Sequence, residues 1–411
     1  MNDRAATVND DTSRQAPPPG VVSGLFTEDW RVHGSIYSSP EIFRLEQERI
    51  FRRCWLYVGH ESELPEPGDY KTTFAGTQPV IVTRGSDDGV IRVLLNRCRH
   101  RGASVCHDEA GTANFFRCPY HGWTYYNSGG LRGVPYDDAY TRLDRDRLGL
   151  TALPRTETYA GFIFTIFAEE GPSLVEYLGN AAPYLDLAAQ AGPEGIQLSA
   201  NSHKIGYDGN WKLQLENTQD GYHFAFVHRS YLAVLSDRAG TPPPVVPNLM
   251  ANWRTADLGG GHSLGEDTTA AEVTARGLIG GLPFNVVVFP SLAIIGAQVR
   301  HVLPKAVDRT EVRLYPMMLK GADNAVNAAI LRNHEEFNGP AGAGTTDDME
   351  IAFFRTADGK AATEKDWVVM SRGLDTEKPG ENGIVYGHAL DELPHRAFYR
   401  QWRRLMEEEE S

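Results

Sequence analysis

Apolar residues Ile42, Phe43, Leu45, Ile50 and Phe51 recur at helical spacing behind Ser38-Ser39-Pro40, predicting a helix that ends near Arg53. From Trp55 to about Tyr159 the pattern changes to short β-rich runs at 79–84, 90–96 and 114–126. Turn clusters such as Gly85-Ser86-Asp87-Asp88-Gly89 and Asn127-Ser128-Gly129-Gly130 separate them, as in a small all-β module of about a hundred residues. Beyond it the pattern predicts a strand at 161–167, a helix at 173–190 and a helix-like run at 211–227. That run would put Glu216, Asp220 and His223 on one face. Strands at 285–289, 293–303 and 311–319, with helices at 323–337 and 393–409, complete a mostly antiparallel α+β region. Gly259-Gly260-Gly261 and Gly280-Gly281 are expected to bracket a mobile loop.

Composition narrows the field. The chain has 411 residues, 41% of them hydrophobic, which is enough for packed cores and excludes wholesale disorder. Its net charge of −14 argues against general nucleic-acid binding, and no apolar run approaches the roughly 20 residues that cross a bilayer. The expected division is a disordered leader over 1–22, a helical segment over 23–54, the β module over 55–160 and the α+β region over 161–411. The leader ends in Pro17-Pro18-Pro19-Gly20 and lacks the apolar stretch of a signal peptide. Four cysteines are too few for a disulfide scaffold, so a reducing, cytoplasmic setting is expected. No glycine opens a strand-turn-helix fingerprint, so no nicotinamide, flavin or nucleotide site is indicated.

The β module carries Cys98-Arg99-His100 and, 17 residues on, Cys118-Pro119-Tyr120-His121. A structural zinc takes such an inventory as Cys₂His₂; a Rieske-type [2Fe–2S] cluster takes both cysteines on one iron and both histidines on the other. A zinc finger groups its cysteines on one knuckle and its histidines on a helix, whereas here each loop supplies a mixed pair, which favours the cluster. A glycine follows each pair, at Gly102 and Gly122, and lets backbone N–H groups turn toward sulfur. The respiratory-complex kind of Rieske protein ties its two loops with a disulfide; here Cys106 could serve one loop but Tyr120 stands in the other, and Cys54 and Cys106 read as small buried hydrophobes.

A second constellation lies in 210–228, where His223 and His228 are five apart. On an ideal helix that is about 500°, or about 140° off a shared face, so both reach one metal only if the helix ends or bulges near Phe224. Two histidines and one carboxylate with open positions form the facial triad of non-haem Fe(II) oxygenases. Asp347, Asp348 and Glu350 are candidates for the carboxylate, behind the turn at 339–344, with Thr345 or Thr346 as the cap of a new helix.

From about Trp30 to Met406 the chain resembles the α (large, catalytic) subunit of the Rieske non-haem iron aromatic-ring-hydroxylating oxygenases, both motifs fitting in order and spacing. The resemblance implies a small all-β Rieske domain and a larger, helix-grip-like α+β catalytic domain. It implies that Cys98, His100, Cys118 and His121 hold the cluster, and that His223, His228 and Asp348 (Asp347 as fallback) hold a mononuclear Fe(II). Asp220 would bridge a cluster histidine of one subunit and an iron histidine of its neighbour, and Asn217 would stand near the iron. The implied partners are an NAD(P)H-dependent reductase, with or without a ferredoxin, O₂ as co-substrate, and an α3 or α3β3 assembly, the latter including a small β subunit. The implied reaction is hydroxylation or cis-dihydroxylation of an aromatic ring. Arg300 would sit inward on a pocket-wall strand, where a bidentate guanidinium suits a benzoate-, salicylate- or terephthalate-like carboxylate. The alternatives are an outward salt bridge for Arg300, His301 or Arg396 in its place, and a neutral arene or O-/N-demethylation as the reaction. A remoter one is electron transfer alone. Phe226, Leu232 and Phe289 are candidate apolar walls.

Overall fold

The computed structural model describes residues 22, 24–28, 30–198, 202–242, 250–269, 281–357, 359 and 366–407. The leader expected over 1–22 lies outside them but for its last residue, as do 270–280 of the expected loop and the tip of the last helix. None of the described helices is long and apolar enough to cross a membrane.

The first predicted helix forms at Pro40–Arg49. Ser39 Oγ accepts the Ile42 N–H, and Pro40 takes the first turn, where its missing N–H costs nothing. In the β module, Asp69–Ala75, Gln78–Arg84, Ile91–Leu95 and Ala110–Thr112 form one antiparallel sheet. A second sheet joins Phe115–Arg117, Thr124–Tyr126 and Leu131–Gly133. The run predicted as a strand at 114–126 is therefore a hairpin. Pro119 and Gly122, the latter at φ 72°, break it and leave Cys118 and His121 on the loop between its strands.

Residue 160, where the β module is expected to end, is the turn of a hairpin between Arg155–Tyr159 and Phe162–Ile166. The second strand pairs with Leu56–His60, and this small sheet ties the modules together. Its Tyr57, Phe162 and Phe164 share an apolar core with Val286, Val288, Leu292 and Ile294 of the large sheet.

Among the described residues that sheet has ten strands. Its centre runs Arg309–Leu319, Gln298–Ala306, Leu292–Ile295, Phe284–Val288, His262–Asp267 and Trp253–Gly259, every pair antiparallel. Side chains alternate between two cores: Val286 and Val288 go to one face, Val287 and Ala293 to the other. Burial on both sides explains why these strands read as nearly unbroken apolar runs. The strand predicted at 293–303 is two, folded at Gly296 (φ 55°). The helix predicted at 173–190 is also two, Leu174–Leu178 and Ala182–Ala189, parted where Gly179 takes φ 47°. Gly259, Gly260 and Gly261, all at positive φ, form a tight turn into a strand rather than the edge of a loop. Asn324–Asn338 and Leu393–Glu407 are helices as predicted.

Candidate active site

The two Cys/His loops are built alike. Cys98 N–H donates to Ala103 O and its carbonyl accepts from Gly102; Cys118 N–H donates to Trp123 O and its carbonyl accepts from Gly122. Both cysteines are buried, and Tyr125 Oη lies 3.2 Å from Cys98 Sγ while accepting the Arg99 N–H. His100 and His121 face each other at 4.6 Å between ring centroids, and His100 stacks on Trp123. Burial pushes the Cys118 thiol pKa up, and burial with the neighbouring His121 pushes His100 down. His100 Nδ1 is buried without a hydrogen-bond partner, as expected of an atom kept for a metal. A single tetrahedral zinc would hold its donors about 3.3–3.8 Å apart. Among the described residues, no three of these four ligand atoms come within 4.8 Å of one another, so the set fits a two-iron cluster and not one ion.

The second constellation closes around the break in the 211–227 run. The helix Lys212–Gln219 stops at Asp220, whose backbone is extended and whose Oδ1 accepts the Tyr222 N–H at 2.6 Å. A side chain at Gly221 would strike Ala389 O, so only glycine passes there. Helix resumes at Phe224–Val227 and again at Arg229–Ala239, with His223 and His228 at the two joints. The break expected near Phe224 is not there: it falls at Asp220, four residues earlier, and Phe224–Val227 is helical. Glu216 consequently leaves the His223 face and accepts from Tyr37 Oη at 2.5 Å and Tyr399 Oη at 2.6 Å.

His223 Nε2 and His228 Nε2 point at one atom, Asp348 Oδ1, from 3.6 and 3.3 Å. Their Nδ1 atoms face carboxylates in turn, Asp220 at 3.4 Å and Asp347 at 3.5 Å. A carboxylate thus stands beside each Nδ1 at ion-pair distance, though neither contact closes as a hydrogen bond; carboxylates in that place commonly set the tautomer of a metal-bound imidazole. Ligand bonds of about 2.0–2.2 Å at right angles separate donor atoms by about 3 Å, so the three atoms leave room for one ion. Asn217 Nδ2 donates to Asp348 Oδ1 at 3.1 Å. Burial alone would raise Asp348, but His228, His223 and Arg300 hold its pKa below the usual carboxylate value. Burial likewise works against a charged His223, and Asp220 and Asp348 outweigh it and raise its pKa. Asp348 opens a π-helical turn, Asp348–Arg355, behind the helix Ala343–Asp347. Gly342 caps that helix, so Thr345 and Thr346 lie inside it, and Glu350 is exposed away from the donors.

A cavity of about 320 Å³ opens beside these donors, lined by Asn217, His223, Phe224, Leu264, Val287, Ile295, Arg300, Phe337 and Asp348 among others. Arg300 is 8% exposed, and burial lowers its pKa to about 10. Among the described residues its hydrogen bonds go to Gln298, Thr218 and Asn338 and it closes no ion pair, with Asp348 the carboxylate whose charge it feels, so the outward salt bridge is not formed. Other expectations fail. Phe226 is 67% exposed because its short helix turns it to solvent, and neither Leu232 nor the core residue Phe289 lines the cavity. His301 is buried against Tyr57 on the opposite sheet face, and Arg396 is spent on Glu377 and backbone carbonyls.

Sequence reasoning missed the group that fixes the 212–219 helix. Glu46, fully buried, accepts from Lys212 Nζ at 2.5 Å, Trp211 Nε1 at 2.9 Å and Trp402 Nε1 at 2.7 Å. No local pattern marks it, because its partners lie far away in the chain.

The model of the Rieske [2Fe-2S] domain matches residues 54–154, and that of the ring hydroxylating alpha subunit catalytic domain matches residues 197–408. The 2-halobenzoate 1,2-dioxygenase large subunit of Burkholderia cepacia is 32% identical over 392 residues, covering 88% of this chain and 83% of that protein. The large oxygenase component of the naphthalene 1,2-dioxygenase system of Pseudomonas aeruginosa is 34% identical over 421 residues, covering 92% and 91%. A solved structure of naphthalene 1,2-dioxygenase with indole in its active site has a TM-score of 0.81 and 29% identity over 93% of this chain and 94% of that one. The chain belongs to the Rieske non-haem iron ring-hydroxylating dioxygenases, as their alpha subunit. Its cofactors are accordingly one Rieske [2Fe–2S] cluster and one mononuclear iron, with O₂ as co-substrate.

Proposed function

We propose that this chain oxygenates an aromatic carboxylate of the benzoate, salicylate or terephthalate kind, and that Arg300 receives the carboxylate. One observation carries this reading: a guanidinium buried in the cavity wall that closes no ion pair among the described residues. A buried guanidinium held by neutral hydrogen-bond partners is costly, and a bound carboxylate offsets that cost by bidentate hydrogen bonding. The similarity to a 2-halobenzoate dioxygenase supports it.

In this reading Cys98, His100, Cys118 and His121 hold the cluster, and His223, His228 and Asp348 hold the iron. When bound, the iron supplies dioxygen activation with electrons delivered through the cluster. The chain's own residues do the rest. Asp220 and Asp347 stand 3.4 and 3.5 Å from Nδ1 of His223 and His228, where closing onto the ring would hold its proton, and Asn217 orients Asp348 through its amide. Phe224, Leu264, Val287, Ile295 and Phe337 exclude water and seat the ring, while Arg300 fixes which edge of the ring faces His223 and His228. Asp220, about a quarter exposed, can meet a cluster histidine of a neighbouring subunit. The assembly is then a ring, α3 or α3β3, served in the cytoplasm by an NAD(P)H-dependent reductase, with or without a ferredoxin.

A neutral arene is the second reading, favoured by the apolar share of the lining and by the naphthalene relatives. Product analysis over benzoate, salicylate, terephthalate and naphthalene separates the two. Oxygenation of the acids at the higher kcat/KM is the expected result, and turnover of naphthalene alone would overturn the carboxylate reading.

A further inference from the structure

Behind Arg300, on the side away from the cavity, runs a chain of polar groups that the dioxygenase chemistry does not use. Arg300 Nε donates to Gln298 Oε1 at 2.6 Å. Gln298 Nε2 lies 2.7 Å from His334 Nε2, and His334 Nδ1 lies 3.3 Å from Glu335 Oε1. The same Glu335 oxygen meets His203 Nε2 at 2.7 Å. Two further bonds reach the guanidinium, from Nη2 to Asn338 Oδ1 at 3.3 Å and from Nη1 to Thr218 Oγ1 at 3.4 Å.

Periodicity explains the fit. Gln298 and Arg300 are two apart on one strand and share a face, and His334 and Asn338 are one turn apart on one helix.

Chemistry fixes the direction of every bond. An arginine only donates, so the oxygen of Gln298 must face it, and its amide nitrogen must then donate onward. His334 Nε2 is therefore the acceptor, and its proton sits on Nδ1, aimed at Glu335.

His203, His334 and Glu335 repeat the residue types of the iron site, but not its spacing. Donors around one ion stand about 3 Å apart or more, whereas His203 Nε2 is 2.7 Å from Glu335 Oε1, a hydrogen bond already closed. At the iron site the matching distances are 3.3 and 3.6 Å. The cluster is thus part of a relay and not a second metal seat.

We propose that Gln298, His334 and Glu335 are positioning residues that lock the Arg300 guanidinium in the orientation that receives a carboxylate, with the lock depending on an unprotonated His334 Nε2. The inference rests on the carboxylate reading above. A second proton on His334 removes the acceptor, so Gln298 must turn its oxygen toward the imidazolium and its amide N–H groups toward Arg300, breaking the Nε bond. The groups facing His334 are Glu335 on its own helix, His203 on the strand His203–Tyr207, and Arg300 beyond Gln298. Burial foremost keeps the His334 pKa below the ordinary imidazole value, so the lock holds at neutral pH.

The test is calorimetric titration of the oxidised holoenzyme with benzoate, between about pH 7.5 and about pH 5.5, where the ligand stays ionised. Arg300→Gln should weaken binding at least about tenfold, and His334→Leu or Gln298→Leu about fivefold at neutral pH. His334→Gln, which keeps an acceptor near the Nε2 position, should restore wild-type affinity within about twofold. Wild-type affinity should fall as the pH drops, and that of His334→Gln should stay flat. The cluster spectrum checks that each variant is folded, and Gln298→Leu carries the argument should His334→Leu not fold. If Arg300→Gln weakens binding and neither leucine variant does, the relay is overturned alone. If Arg300→Gln binds benzoate as wild type does, the carboxylate reading falls and takes the relay with it.

Discussion

The proposed cluster loops and iron site both present imidazoles, but they position them in opposite ways. Cys98 to His121 is a short stretch in which each ligand pair is closed by its own backbone, with the same two hydrogen bonds per loop. The proposed iron donors stand beside a helix break and on a π-helical turn 120 residues later, and the Lys212–Gln219 helix ahead of them is tied to the distant Glu46. On the proposed assignment, metal binding at the first centre is a local property of the chain, and at the second it belongs to the whole catalytic fold.

The largest effect expected from this contrast is at His223. His223→Ala should reduce turnover by at least about a thousandfold and leave the cluster EPR signal intact, whereas Cys98→Ser should abolish both. Loss of the cluster signal in the histidine variant would erase the distinction between the centres.

Glu46 tests the dependence on the fold. Removing its carboxylate leaves the Lys212 ammonium buried without its partner, which typically costs about 3–5 kcal/mol. Glu46→Ala should therefore release iron at lower urea than wild type, while the cluster signal persists to higher urea. Simultaneous loss of both signals would break the comparison.

Asp347 sharpens it. Its carboxylate faces His228 Nδ1, so Asp347→Asn should weaken iron binding about 10–100-fold, measured by chelator competition. Unchanged affinity would mean that the packing around His228 alone orients its ring.

The smallest effect is at Tyr125. Its hydroxyl lies 3.2 Å from Cys98 Sγ, and a hydrogen bond there favours the more negative, reduced cluster. Tyr125→Phe should lower the reduction potential in a redox titration and leave iron content unchanged.

The same contrast governs what could be read from the sequence. Cys98-Arg99-His100 and Cys118-Pro119-Tyr120-His121 are legible because ligand and ligand are near neighbours, and the glycines that turn their loops lie beside them. For the iron site, helical arithmetic demanded a break near Phe224, but Phe224–Val227 is helical and the break lies earlier, at Asp220 and Gly221. Its position was misplaced because it is set by a tertiary contact, Gly221 against Ala389, that no local pattern announces. Asp348 needed the family resemblance, since Asp347 and Glu350 are the same chemistry one and two residues away. The neighbour that looked like an alternative ligand turns out to face the far side of His228. Arg300 was legible as an inward residue on a strand. Gln298 and His334 were not, because their relation to it needs the strand and the helix side by side. Glu46 was invisible for the same reason.

Iron and acid-labile sulfide, quantified per chain in anaerobically prepared wild type and His223→Ala, test the central claim most directly. Wild type should hold about three irons and about two sulfides, and the variant about two of each with the cluster EPR signal retained. Zinc without sulfide, or a variant that loses sulfide together with iron, would contradict two separate centres in one polypeptide.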